Sequence, residues 1–291
     1  MLSKRYRQAL ILLGVVSLLA GCAGPSGAPS PAEPAITSPV SASAPTATSE
    51  PLSPASFLAG YSFPESIDPT KRYLFYLHGK IIEDQGIPAI SPEYGEYEYQ
   101  AILEKLSRGG LVVISEQRAK DTNAVAYAQR VTGQVTTLLE AGVPARNITV
   151  VGASKGAWIT VYVSHLLENR QVNFVLLSVC LADAVAVFEQ DQIFLYGNVL
   201  SIYDFADRDY AGSCNELFSF SEAKGGLSQH DEIVLNVGSG HGILYHPLDE
   251  WILPTLQWAE KRYGGCKRCS PSSRAVGKRG SEIFSVSSVF V

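Results

Sequence analysis

The sequence has little charge and lacks an excess of basic residues. Charged side chains make up 18% of the 291 residues, and the formal net charge is −5 at pH 7. Nucleic-acid-binding domains gather lysine and arginine on one face, so we expect no nucleic-acid partner. The sequence has a single Cys-x-x-Cys pair, Cys266 and Cys269. One pair cannot supply the four ligands of a structural zinc site, and we predict neither a metal nor another cofactor.

Long apolar runs are also scarce. The run from Ala9 to Ala20 is too short for a permanent membrane anchor, and no later run is long enough to cross a bilayer. Three basic residues precede this run, as in an export signal. It closes with Leu19-Ala20-Gly21-Cys22 and resembles a bacterial lipoprotein signal. The resemblance implies cleavage before Cys22 and lipidation of its thiol; the alternative is an ordinary signal peptide with an incidental cysteine.

Composition divides the chain into four segments. Residues 1–21 are the predicted signal peptide, and residues 22–56, rich in Pro, Ser and Ala, form a predicted disordered tether. Residues 57–263 can bury one sizeable core, and residues 264–291 are a basic tail for which we expect no fixed structure. We therefore expect an exported protein on a bacterial membrane, facing the periplasm or the exterior. Because Ala23 follows the cysteine, the lipoprotein resemblance favours the outer membrane if the cell has one.

Apolar runs alternate with amphipathic ones along the central segment. Runs this uniformly apolar are typical of strands buried on both faces of a parallel sheet. The repeated strand–helix order predicts a doubly wound α/β fold of about six to eight strands, with helices on both faces. Strands are predicted at residues 73–77, 111–115, 148–151, 172–179, 199–203 and 232–237, and helices at residues 97–106, 123–141, 155–167, 182–189 and 249–262. In such folds, sites lie beyond the carboxyl ends of the strands.

One candidate nucleophile lies in Gly152-Ala153-Ser154-Lys155-Gly156, between a predicted strand and a predicted helix. A sharp turn in this context holds a serine in a strained conformation, with its hydroxyl above the edge of the sheet. Glycines two residues to either side remove Cβ atoms that would clash with neighbouring backbone. The pattern therefore predicts that Ser154 is a nucleophile.

A serine nucleophile needs a base, and the base needs a carboxylate to orient it. His241 follows the predicted strand at residues 232–237 and is flanked by glycines, which favours it as the base. His246 is the alternative, whereas His230 precedes that predicted strand and would lie at the wrong end.

The acid is expected after the strand at residues 199–203, where Asp204, Asp207 and Asp209 crowd together. A carboxylate a few residues beyond the strand end reaches the histidine most easily, which favours Asp207 and leaves the other two as alternatives.

A developing oxyanion needs two preorganised N–H donors. We expect them to be the backbone N–H groups of Lys155, after the nucleophile, and of Lys80, in the His78-Gly79-Lys80 loop. His78 is interpreted as structural. The two lysine side chains would make the mouth of the site positive, although surface lysines are usually only solvated.

Three tyrosines follow this loop: Tyr94, Tyr97 and Tyr99. They either line the wall of the site or are partly buried aromatic residues on a helix face.

Together, Leu77-His78-Gly79, the Ser154 pentad, the loop around Asp207 and Gly240-His241-Gly242 resemble the α/β-hydrolase fold superfamily, over about residues 73–258. The resemblance implies a Ser-Asp-His triad and acyl transfer through a covalent acyl-serine, usually ester hydrolysis of a small-molecule acyl substrate. It does not identify the subfamily, and acyl transfer to another acceptor or peptide hydrolysis would use the same triad. The alternative function is a catalytically inactive hydrolase fold that acts as a binding or scaffold module.

Two further features concern the same edge of the predicted sheet. Only about 18 residues separate Cys180 from Val199, which leaves little room for the lid domain that many lipases insert there.

Cys180 ends one predicted strand and Cys214 follows the acid loop of the next. In an exported protein this placement favours a disulfide over two separate thiols, and the disulfide would brace the loop that carries Asp207.

Overall fold

A computed structural model of the chain describes residues 58–260. The predicted signal peptide, the tether, the lipidation site at Cys22, and the tail with Cys266 and Cys269 lie outside the described residues. Among residues 58–260, no helix is both long enough and apolar enough to span a membrane.

Six parallel strands form the central sheet, in the order β4-β1-β5-β6-β7-β8. The strands are β1 (Tyr73–Leu77), β2 (Ile90–Ser91), β3 (Gly95–Glu96), β4 (Val112–Ile114), β5 (Ile148–Ala153), β6 (Asn173–Leu177), β7 (Gly197–Asp204) and β8 (Leu227–Leu235). β2 and β3 pair antiparallel in a separate two-stranded sheet. The helices are α1 (Lys80–Gln85), α2 (Tyr99–Ser107), α3 (Ala124–Glu140), α4 (Lys155–Leu167), α5 (Ala182–Gln190), α6 (Asn215–Ala223) and α7 (Asp249–Glu260). Two short 3₁₀ helices cover Ala145–Asn147 and Gly240–Leu244.

The sheet separates two hydrophobic cores. Because successive side chains of a strand point to opposite faces, Tyr73, Phe75 and Leu77 of β1 pack into a core with α3, α4, α5 and α6. Leu74 and Tyr76 pack into the other core, with α1, α2 and α7. Burial on both faces explains why the central strands are uniformly apolar. The predicted doubly wound α/β fold, with helices on both faces, is confirmed.

The edge strand β8 differs from its prediction. It begins at Leu227, five residues before the predicted start at Glu232, so His230 lies inside the strand rather than before it. Residues 228–231 are exposed and polar, since no further strand pairs with β8 in the described sheet. An apolar run therefore could not reveal this half of the strand. At the other side of β7, the connection from β6 consists of α5 and a short loop, in keeping with the small space expected there.

Candidate active site

The turn between β5 and α4 holds Ser154 in a strained conformation. Its φ is 54° and its ψ is −116°, in a region that non-glycine residues rarely adopt. A Cβ at Gly152 would lie 2.2 Å from the carbonyl oxygen of Gly156, and one at Gly156 would lie 1.8 Å from that of Leu77. Both positions therefore require glycine, because the neighbouring backbone lies too close for any Cβ atom. The approach at Gly156 packs the start of α4 directly against the end of β1.

The two expected oxyanion donors begin two helices near this serine. α1 starts at Lys80 and α4 starts at Lys155, and the first N–H groups of a helix have no partner within it. An ideal Cβ at Gly79, the residue before Lys80, would lie 3.8 Å from the Cβ of Ser154. The loop after β1 thus lies beside the turn that carries Ser154, and the donor roles of Lys80 and Lys155 stay predictions.

A buried acid–base pair lies beyond β7 and β8. The Nδ1 atom of His241 is 2.7 Å from Oδ2 of Asp207, and both side chains are buried. The ring of Tyr210 lies 4.7 Å from the imidazole, centroid to centroid. A carboxylate in this position fixes the orientation and tautomer of an imidazole.

The other candidate residues have different partners. The buried carboxylate of Asp204 accepts hydrogen bonds from the backbone N–H groups of Ala206 (2.8 Å), Gly238 (2.9 Å) and Ser239 (3.3 Å). It therefore ties the loop before His241 to the loop that carries Asp207. The remaining candidates pair elsewhere or are exposed: Asp209 is exposed, His246 pairs with Glu98 at 3.4 Å, and His230 pairs with Glu222 at 3.0 Å.

Parallel strands place Ser154, Asp207 and His241 at one edge of the sheet, because each follows the carboxyl end of a strand. Within residues 58–260, no hydrogen bond joins Oγ of Ser154 to Nε2 of His241. Such bonds are often long in unliganded enzymes and tighten when substrate binds.

Sequence reasoning missed a buried ion network beside the His78-Gly79-Lys80 loop. Glu83 of α1 accepts a hydrogen bond from Nε of Arg118 at 2.6 Å and a short one from Nζ of Lys155. Lys155 also donates to the carbonyl oxygen of Thr122 at 2.8 Å. The Lys80 side chain instead pairs with Asp84 at 2.5 Å. Each lysine side chain therefore has a carboxylate partner, but Glu83 shares its single negative charge between Lys155 and Arg118. A positive mouth of the site stays a prediction.

His78 is structural, as interpreted from the sequence. The backbone N–H of Arg118 donates to its Nε2 at 2.9 Å, so Nδ1 carries the proton and donates to the carbonyl oxygen of Gly79 at 2.8 Å. Burial, together with the nearby Arg118 guanidinium, holds the pKa of His78 well below its usual value of 6.5. A neutral imidazole thus buttresses the loop, and its complete burial removes it from the chemistry.

The three tyrosines after the oxyanion loop divide into two groups. Tyr97 and Tyr99 are buried, so they are core aromatics and do not wall the site. The Tyr97 hydroxyl lies 2.7 Å from that of Tyr76, and burial raises the pKa of Tyr97 to about 12. Tyr94 is only partly buried, and a Cβ at Gly242 would lie 2.9 Å from its ring. Tyr94 therefore packs on the backbone that follows His241.

A disulfide joins Cys180, three residues after β6, to Cys214, which immediately precedes α6. A carboxylate supports the second cysteine, since Oε2 of Glu232 accepts a hydrogen bond from the Cys214 N–H at 2.7 Å. The segment between β7 and α6, which carries Asp207, is thus anchored at its far end to the neighbouring strand's exit loop. The predicted pairing is present.

No protein-family model matches the sequence, and no curated protein matches it. Among solved structures, SOBER1 of Arabidopsis thaliana is 10% identical, with a TM-score of 0.43 over 66% of this chain and 98% of that chain. A phospholipase/carboxylesterase from Dyadobacter fermentans is 16% identical, with a TM-score of 0.40 over 66% and 98%. Esterase 2 of Thermogutta terrifontis, phosphoramylated by tabun, is 16% identical, with a TM-score of 0.44 over 69% and 85%. Identities and scores this low do not carry an activity over to this chain.

The fold and the site nevertheless define a class on their own. The parallel six-stranded sheet, the strained serine turn after β5 and the histidine loop after β8 are the features of an α/β-hydrolase fold. Fold alone does not fix function.

Proposed function

We propose that the protein is a serine hydrolase that cleaves carboxylic esters or related acyl compounds through an acyl-serine intermediate. The observation that carries the proposal is the buried Asp207–His241 pair. It lies at the same edge of the sheet as the strained turn of Ser154. A carboxylate-oriented imidazole and a projecting serine are the two parts that this chemistry requires.

The mechanism follows from these positions. Nε2 of His241 takes the proton from Ser154 as Oγ attacks the acyl carbon, while Asp207 holds the Nδ1–H and stabilises the imidazolium. The backbone N–H groups of Lys80 and Lys155 bind the negative oxygen of the tetrahedral intermediate. His241 then gives its proton to the leaving alkoxide. Water, deprotonated by the same imidazole, attacks the acyl-serine, and the imidazolium returns this proton to Oγ of Ser154 as the acid leaves.

The proposed substrates have short acyl chains. Since the described connection between β6 and β7 holds only α5 and a short loop, nothing there adds a deep covered pocket for a long chain. We also propose that the enzyme is exported and lipid-anchored through Cys22. The support for this part is the sequence pattern of residues 1–22.

A fluorophosphonate probe, which labels activated serines, tests the proposal. We expect the purified folded protein to be labelled, the Ser154→Ala variant to lose the label, and the Ser178→Ala variant to keep it. Ser178 is a matched control because it follows the adjacent strand β6 and shares a φ of 54° with Ser154. Absence of labelling on folded wild-type protein would overturn the proposal and favour an inactive scaffold. A series of p-nitrophenyl esters would then test the short-chain preference.

A further inference from the structure

Glu83 is a buried carboxylate that binds two cations from different parts of the fold. Its side chain is fully buried, as is that of Arg118, whereas the Lys155 side chain is about one-fifth exposed at 20%. The two carboxylate oxygens are divided between the cations: Oε1 binds Arg118 and Oε2 binds Lys155. Each oxygen therefore fixes one partner.

The network joins the elements that carry the two oxyanion donors. Glu83 lies on α1, which begins with Lys80, and Lys155 begins α4. The short contact between Glu83 and Lys155 thus links the first turns of both helices across the site. The donor N–H and Nζ of Lys155 belong to the residue that begins α4, so the contact with Glu83 ties the start of α4 to α1, whereas the Lys80–Asp84 pair stays within α1.

Arg118 extends the same network to the loop that precedes the Lys80 donor. Its Nη2 donates a short hydrogen bond to the carbonyl oxygen of His78, and its backbone N–H donates to Nε2 of His78. His78 and Gly79 are the residues through which the chain passes from β1 into α1. The Glu83 carboxylate thus holds the Arg118 side chain in place, and that side chain in turn fixes the His78-Gly79 segment.

Stability alone is a weak reason for such a network. Burying ions is expensive, and well-packed apolar residues often replace a buried ion pair without loss of stability. What apolar residues cannot do is fix two backbone segments by directional, charge-assisted hydrogen bonds. An oxyanion hole depends on donors held in place before the reaction begins.

We propose that Glu83 is a positioning residue for the oxyanion hole: through Lys155 and Arg118, it fixes the backbone N–H groups of Lys155 and Lys80 relative to Ser154. This inference rests on the serine-hydrolase function proposed above. Glu83 acts through other residues and touches no reacting atom.

The test is steady-state kinetics of Glu83→Gln on an aryl acetate and on the matching thionoacetate, whose carbonyl sulfur is a poorer hydrogen-bond acceptor. Removal of one oxyanion donor typically lowers kcat about 100- to 1,000-fold, so displaced donors should lower it about 10- to 100-fold, with KM changed less than about two-fold. The preference for the oxygen ester over the sulfur ester should fall as well. A purely structural defect would lower both rates together and leave that preference unchanged.

Asp84→Asn is the matched control, because Asp84 is the next residue of α1 and its removal breaks only the exposed pair with Lys80. We expect wild-type kcat and oxygen-to-sulfur preference from it. If Glu83→Gln does not fold, Lys155→Met decides the question, since it keeps both the donor N–H and the Glu83–Arg118 pair. Wild-type kcat and preference in the folded Glu83→Gln variant, or in Lys155→Met if the former does not fold, would overturn the inference.

The outcomes separate the two proposals. Retained fluorophosphonate labelling in Ser154→Ala would overturn the function itself. Labelling that depends on Ser154, together with wild-type kcat and oxygen-to-sulfur preference in the folded Glu83→Gln variant, or in Lys155→Met if the former does not fold, would overturn only the role of Glu83.

Discussion

The two halves of the candidate site are held in different ways. The nucleophile half, with Ser154 and the donors of Lys80 and Lys155, lies at the starts of two helices packed by glycine contacts and a buried ion network. The histidine half, with Asp207 and His241, lies on loops after β7 and β8 that are joined by the carboxylate of Asp204. The first half is fixed by close backbone packing and buried ion pairs, and the second by carboxylates that bind the imidazole and the backbone N–H groups of the histidine loop.

The largest effect on catalysis is expected from a substitution in the histidine half. Asp207→Asn should lower kcat/KM by about 10³- to 10⁴-fold, because the imidazole loses the acceptor that sets its tautomer. Asp204→Asn should have a smaller effect on kcat, because its carboxylate binds backbone N–H groups rather than the imidazole. Ester hydrolysis by the two variants, with exposed Asp209→Asn as the control, measures the difference. A larger kcat loss in Asp204→Asn would reverse the roles assigned to the two aspartates.

The next largest effect is expected on stability, from a substitution at Gly156 in the nucleophile half. A methyl group there would lie 1.8 Å from the carbonyl oxygen of Leu77, so Gly156→Ala should force β1 and α4 apart and lower the free energy of unfolding by about 3 kcal/mol or more. Gly133→Ala, in the middle of α3, is the matched control. A Cβ there meets nothing within 4 Å, and we expect a gain of about 0.5–1 kcal/mol. Equal denaturant midpoints for the two variants would refute the packing argument.

A third prediction concerns the disulfide, which supports the histidine half alone. The double variant Cys180→Ala/Cys214→Ala opens a link across a sequence separation of 34 residues and should lose about 2–4 kcal/mol of stability. A reductant should lower the thermal midpoint of the wild type and leave that of the double variant unchanged. If the reductant shifts neither midpoint, this link contributes nothing to the fold.

The two halves also differ in how far the sequence predicted them. The pentad around Ser154 and the strand and helix beside it form a local pattern, and the predicted helix at residues 155–167 has the observed bounds. The choice among Asp204, Asp207 and Asp209 depends on which carboxylate reaches a loop more than 30 residues away, which spacing can favour but not decide.

Glu83 and Arg118 were missed because isolated charged residues in polar segments are usually solvated. Their burial depends on how the loop after β4 folds over α1. The polar half of β8 was missed for the opposite reason, since an edge strand exposed to solvent has no apolar run to mark it.

The smallest effect is expected in the pH dependence of stability. It concerns the nucleophile half alone, because His78 supports only that half. Its folded-state pKa lies well below 6.5, so below pH 6.5 the unfolded chain binds a proton at this residue before the folded protein does. Stability from His78 is therefore fully present above pH 6.5 and is lost as pH falls toward the folded-state pKa, by up to about 1.4 kcal/mol per pH unit. Urea unfolding at pH 7, 6 and 5 should show a steeper loss in the wild type than in His78→Gln, whose amide does not titrate. Parallel stability curves would mean that His78 takes up a proton in the folded state, with its contacts to Arg118 and Gly79 rearranged.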